Sequence, residues 1–182
     1  MKKSKYILFV VGFILFVCII VATVRINMKY PQVEYKDIAF NTSEQWQECC
    51  TLTVNNAKVY TNEEAVKIYG QDVLEVSDGT DFDIIEVEAS VSNITDSTIP
   101  VYLYDLYLET LVYANGVAAE AQLLTDTPQL DIELMPYEKK EVTLCYVVYE
   151  GQLSKKDWDN ISTKDFWLTG EHYPVKKRWM LQ

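Results

Sequence analysis

An all-β fold, an antiparallel β-sandwich on one N-terminal transmembrane helix, is what this sequence of 182 residues predicts. Three observations lead there. Seven or eight short β-type segments follow one another with turn residues every 8–15 positions, the signature of a sandwich. Residues 6–24 form one long apolar stretch that contains no charge at all. The composition is 49% hydrophobic at a net charge of −11, which excludes disorder, because a disordered chain lacks the apolar residues to form a core.

Residues 6–24 read YILFVVGFILFVCIIVATV. At about 1.5 Å per residue this run reaches roughly 28 Å, the thickness of a hydrocarbon core. A helix buried in a soluble domain would carry a polar face, and this one has none. A cleaved secretory signal would have an apolar region of about 7–15 residues and a small-x-small exit. The exit here, Ala22-Thr23-Val24-Arg25, offers no such site. A lipoprotein would place a small residue before Cys18, where Val17 stands. The anchor is therefore the reading adopted, with the other two kept as alternatives.

Lys2, Lys3 and Lys5 precede the run, whereas Arg25 and Lys29 beyond it are soon diluted by Glu34 and Asp37. The positive-inside rule then leaves the N-terminus cytoplasmic and the C-terminal portion extracytoplasmic. The expected organisation is a tail over residues 1–5, a transmembrane helix over 6–24, a stalk over 25–45 and one domain over 46–182. Five bases and no acid lie in residues 1–29, so eleven bases face 27 acids in the remainder. Such a surface repels phosphates, and nucleic acid is excluded as a partner.

Within the domain, Cys50, Leu52 and Val54 alternate with Thr51 and Thr53, and Asn55-Asn56 offers a turn or bulge before residues 57–60. Thr61 and Glu64 have the spacing of a capping box at the start of a short helix. Residues 83–91 form the clearest strand. Ile85, Val87, Ala89 and Val91 face one way, and Glu86, Glu88 and Ser90 the other. Residues 92–97 turn the chain, and Asn115-Gly116 signals a hairpin after the tyrosine-rich stretch 99–113. A second strand spans 141–149, with Val142, Leu144 and Tyr146 expected inside. Thr143, Cys145, Val147 and Tyr149 form the alternative inward face. Ser154 with Asp157 caps one short helix, and residues 166–169 and 175–181 close the chain as strands.

The order of membrane helix, stalk, EVEASVSNITDSTIPVYLYDLYLE, LMPYEKKEVTLCYVVYE and an aromatic-rich end resembles uncharacterised bacterial membrane-anchored proteins with an immunoglobulin-like, telokin-like extracytoplasmic domain. The residues that carry the resemblance are Val91-Ser92-Asn93, ending an alternating strand, and Leu134-Met135-Pro136, introducing a long one. Tyr137 stands where such turns usually carry glycine. The resemblance implies an immunoglobulin-like sandwich and a surface or accessory role, with no catalytic residues to carry over.

The chemistry-bearing residues are few. His172 is the one histidine, between Gly170 and Pro174, so neither a histidine zinc site nor a serine triad with a nucleophile elbow is assembled. No phosphate-cradling glycine motif occurs. Cys49, Cys50 and Cys145 lie outside the membrane segment. They read as three thiols, or as one disulfide between Cys145 and Cys49 or Cys50. A sortase-like transpeptidase is rejected, since His172 follows Cys145 and the Thr-Leu-x-Thr-Cys signature is missing. The acids of residues 72–83 read as a solvated turn or a calcium site around 78–83, whose spacing departs from an EF-hand. No metal or cofactor is expected.

Tyr102, Tyr104 and Tyr107, with Trp158, Trp167 and Trp179, read as half-buried sheet residues or as an aromatic recognition surface. The expected function is a non-catalytic, membrane-anchored binding module of the bacterial cell envelope. Its partner-binding residues would be Tyr102, Tyr104 and Tyr107, and its partner another envelope protein. A carboxylate-based wall hydrolase and a structural spacer are the alternatives.

Overall fold

The structure is a computed structural model describing residues 2–77, 79–111 and 113–181. The chain divides into two compact units, Met1–Glu34 and Tyr35–Gln182. The first holds α1 (Lys2–Lys29), of which Phe9–Lys29 is long and apolar enough to cross a membrane.

The second unit contains eleven strands among the described residues: β1 (Glu34–Ile38), β2 (Glu44–Trp46), β3 (Cys50–Thr61), β4 (Phe82–Asn93), β5 (Ile99–Tyr102), β6 (Tyr107–Thr110), β7 (Tyr113–Asn115), β8 (Asp131–Leu134), β9 (Lys139–Tyr149), β10 (Trp167–Thr169) and β11 (Val175–Met180). One sheet has the order β2-β3-β4-β9, a second β1-β11-β10-β6-β7, and β5 pairs with β8. With β3, β4 and β9 in one sheet and β6, β10 and β11 in the other, the pairing is that of an immunoglobulin-type sandwich.

The core lies between the two sheets. Leu52, Val54, Ile85, Val87, Ala89, Val91, Val142, Leu144 and Tyr146 enter it from one sheet, and Leu108, Leu168 and Trp179 from the other. The expected inward set is thus the observed one, with Cys145 and Val147 on the opposite face. Tyr146 is fully buried, and its hydroxyl donates to Leu106 O at 3.2 Å, which satisfies the polar tip of a large apolar payload. Trp179 Nε1 likewise donates to Leu52 O at 3.2 Å, tying one sheet to the other.

A second, smaller core covers the outer face of β4 and β9. Phe82, Ile84, Cys145 and Val147 pack there against Ala65 of α2 (Asn62–Tyr69), Val73 of the turn Gln71–Val76 and Ala121 of α3 (Ala119–Gln122). The capping box starts α2 as read: Glu64 N donates to Thr61 Oγ1, and the Glu64 carboxylate accepts from Thr61 N at 3.0 Å. Ser154 similarly caps α4 (Lys155–Trp158), accepting from Asp157 N at 3.2 Å.

Of the two readings of Asn55-Asn56 the bulge is the observed one, inside one long β3, with the register shifting between Val54 and Asn56. Two other readings change. Asn115-Gly116 is not the hairpin turn: β6 and β7 pair Thr110 with Tyr113, so the chain reverses before Asn115. Asn115 instead donates from its amide to Val147 O at 3.0 Å, a cross-sheet bond that overrides its turn preference. The segment 25–45 read as a stalk carries the end of α1, the whole of β1 and the start of β2. β1 escaped detection because four of its five residues are exposed, so its pattern shows no alternation. Tyr137 has φ 59°, the left-handed conformation for which glycine is the usual choice.

Candidate functional site

Tyr102, Tyr104 and Tyr107 emerge from the segment β5–β6, where Leu103 and Leu106 are buried and leave the tyrosines outside. Their exposures are 40%, 47% and 40%. The Tyr102 and Tyr104 rings lie 5.5 Å apart at 31°, and Tyr107 lies 5.8 Å from the ring of His172, which is itself exposed. Local desolvation, then the carboxylates of Asp131 and Asp105, shift the Tyr104 hydroxyl above its ordinary value. The tryptophans do not join them. Trp167 and Trp179 are buried, and Trp158 packs against the core.

Cys50 points into the inter-sheet core, where Sγ donates to Trp46 O at 2.8 Å, and Cys145 lies on the opposite face of the same sheet. Strand β4 separates them, so no disulfide joins Cys50 to Cys145, and Cys49 is a thiol as well. Burial pushes Cys50 up to about 12 and Cys145 up to about 11, which keeps both protonated at neutral pH. Asp78 of the acidic turn lies outside the described residues. Among the described residues no three His, Cys, Asp or Glu side chains gather as a metal-holding group.

Sequence reasoning missed two clefts. One, of about 600 Å³, lies on the outer face of β4 and β9 and is lined by Glu86, Glu88, Glu141 and Asp126. Three of its acids are engaged: Tyr69 Oη donates to Glu86, Asn56 Nδ2 to Glu88 at 3.1 Å, and Ser90 Oγ to Glu141 at 2.7 Å. The second, of about 940 Å³, opens at the end of the sandwich beside β3. It is lined by Glu63, Glu64, Asp81, Asp83 and Asp159 with Trp158. Asp83 accepts a hydrogen bond from Asn62 N at the start of α2, and burial followed by Asp81 and Glu64 raises it to about 6. These acids come from separate stretches of the chain, and nothing in their local spacing announces that they meet.

This arrangement defines an immunoglobulin-type sandwich with an exposed tyrosine surface and an acidic end cleft. Residues 29–177 match the family described as Domain of unknown function (DUF5028), and the chain belongs to that family. No curated protein matches it. Among solved structures it is similar to a conserved hypothetical protein of Bacillus anthracis, with 20% identity over 77% of this chain and 93% of that one and a TM-score of 0.43. It is also similar to an uncharacterized beta-sandwich protein of Clostridium difficile, with 11% identity over 83% and 97% and a TM-score of 0.46.

Proposed function

We propose that this chain is a membrane-anchored, extracytoplasmic binding module of the bacterial cell envelope, non-catalytic, which engages another envelope protein through Tyr102, Tyr104 and Tyr107. The observation that carries this reading is the exposure of three tyrosines on one short segment whose neighbours are buried. Tyrosine offers a large, rigid contact area at little entropic cost, and such rings dominate the centres of protein interfaces. The apolar helix Phe9–Lys29 supports the anchor, and Lys2, Lys3 and Lys5 support a cytoplasmic N-terminus.

Crosslinking the full-length protein in its native membrane tests the reading. One stoichiometric partner is expected, retained by His172→Ala and lost when Tyr102→Ala is combined with Tyr104→Ala. An undiminished yield from the double variant overturns it.

One observation favours a second reading, a carboxylate-based wall hydrolase. Asp83, raised to about 6 in an acid-lined cleft, has the character of a general acid. Release of soluble fragments from purified cell wall by the full-length protein, abolished by Asp83→Asn, would establish it in place of the binding role.

A further inference from the structure

The sheet β2-β3-β4-β9 has two edges, and the chain treats them differently. The β9 edge is closed from Thr143 to Val147. Gln122 donates to Thr143 O at 2.6 Å and accepts from Cys145 N at 2.9 Å, Ala118 N donates to Cys145 O, and Asn115 with Tyr113 covers Val147 O. Edges blocked in this way cannot add another strand.

The β3 edge is closed only in its first half. β2 pairs with Cys50–Leu52, and Asn41 N donates to Val54 O at 3.0 Å. Leu52 and Val54 therefore turn their backbone groups away from β4. The bulge at Asn55 shifts that parity by one, so Ala57 and Val59 point outward next, followed by Thr61, whose N–H bonds Glu64. Among the described residues, no backbone partner meets the outward groups of Ala57 and Val59.

Beside this edge lies a cavity of about 370 Å³, lined by Ala57, Lys58 and Val59 and backed by the nearly buried Ile85, Phe166 and Leu181, and it shares Val59 and Ser162 with the 940 Å³ acidic cleft. An added strand would thus find backbone hydrogen bonds, an apolar floor for alternate side chains and a carboxylate rim. The rim selects the occupant. Five carboxylates and no basic residue line the larger cavity, against the single base Lys58 on the smaller one, so the balance attracts a cationic segment and repels an acidic one.

We propose that Ala57 and Val59 accept an extended, lysine- or arginine-bearing peptide segment of a partner protein by strand addition, its apolar side chains over Phe166 and Leu181 and its cations against Asp81 and Asp83. The site is separate from the tyrosine surface and does not depend on it.

The test is titration of the full-length protein in detergent micelles with a hexapeptide alternating valine and lysine. Three controls accompany it: the valine–glutamate counterpart, a lysine peptide N-methylated along one backbone edge, and the variant Asp81→Asn with Glu63→Gln, two exposed positions. The lysine peptide is expected to bind and to slow amide exchange at Ala57 and Val59. The glutamate and N-methylated peptides should each bind at least tenfold more weakly, and the double variant should weaken the lysine peptide several-fold. Tyr102→Ala with Tyr104→Ala should leave binding unchanged. No binding of the lysine peptide at millimolar concentration, equal binding of the two charge types, binding indifferent to N-methylation, or loss on the tyrosine substitutions would each overturn the proposal.

Discussion

A β-carbon placed on Gly170 would collide with the Trp46 indole and stand 3.1 Å from Leu106 Cδ2, so this glycine is required by close approach. Trp46 is fully buried and cannot swing aside, and its Nε1 already lacks a hydrogen-bond partner among the described residues. Gly170→Ala is expected to destabilise the domain by about 1–3 kcal/mol, the usual cost of overpacking, as measured by chemical denaturation. Asp83 acts on stability through pH. Its folded-state value of about 6 exceeds the ordinary 3.8, so between those values the folded chain holds a proton that the unfolded chain has released. This contribution is present below about pH 4 and is lost as pH rises through 6. Asp83→Asn should flatten that slope and stabilise the domain at pH 7 by roughly 1–2 kcal/mol, allowing for water at the cleft mouth. Glu44 and Glu141 are shifted the other way and lose stability in acid, so the variant must be compared with the parent at each pH. The thiols give a third expectation: iodoacetamide at pH 8 should label partly buried Cys49 before Cys50 and Cys145, which react only on unfolding. Equal labelling rates in the native protein would contradict the two buried environments.

Elements were legible where burial imposes a period. The alternation of Ile85, Val87, Ala89 and Val91 reflects a strand paired on both sides and half facing the core, and Thr61 with Glu64 marks a helix start by local hydrogen bonding alone. Elements held by distant partners were not legible. β1 is an edge strand with an exposed pattern, and Asn115 answers to Val147 rather than to its neighbour Gly116. The tyrosines were legible only as half-buried sheet residues or a recognition surface, and it is the burial of Leu103 and Leu106 in the fold that leaves them exposed. The acid cleft was not legible, because Glu63, Asp81 and Asp159 meet only through the tertiary fold. Asn93 joins two elements in a way its turn-like sequence only half announces. Its Nδ2 donates to Ser97 O at 2.7 Å, Leu134 O at 3.2 Å and Met135 O at 2.8 Å, while Oδ1 accepts from Thr95 N and Oγ1. The side chain therefore locks the β4–β5 and β8–β9 loops together and helps to hold Tyr137, whose N–H bonds Thr95 O, at its positive φ. Asn93→Ala should cost about 2–3 kcal/mol, because buried carbonyls lose their donor. Asn93→Asp should cost at least as much, since it sets a carboxylate against three carbonyl oxygens. Denaturant midpoints of the two variants decide the matter, and a neutral Asn93→Asp would show that the clamp carries little energy.

At the scale of the whole molecule, charge is divided between the two units. Residues 1–29 carry five bases and no acid, and every one of the 27 acids lies beyond them. A translocated domain tolerates that acidity, because the orientation rule weighs lysine and arginine near the membrane ends and gives acids little weight. On the proposed topology, the three lysines ahead of the apolar run favour a cytoplasmic N-terminus and an external domain. Protease added to intact cells or spheroplasts should degrade the domain of residues 35–182 while sparing the N-terminal tail. The fold predicts where the first cuts fall. Leu111 is 89% exposed at the tip between β6 and β7, whereas β4 and β9 are buried along most of their length. Early nicking near Leu111 on intact cells is the expected result. Protection of the domain until the membrane is permeabilised would reverse the orientation, and replacing Lys2, Lys3 and Lys5 by glutamine should shift part of the population to that reversed state. A mature N-terminus beginning after residue 20 would instead show that the apolar segment is removed, leaving the sandwich without its anchor.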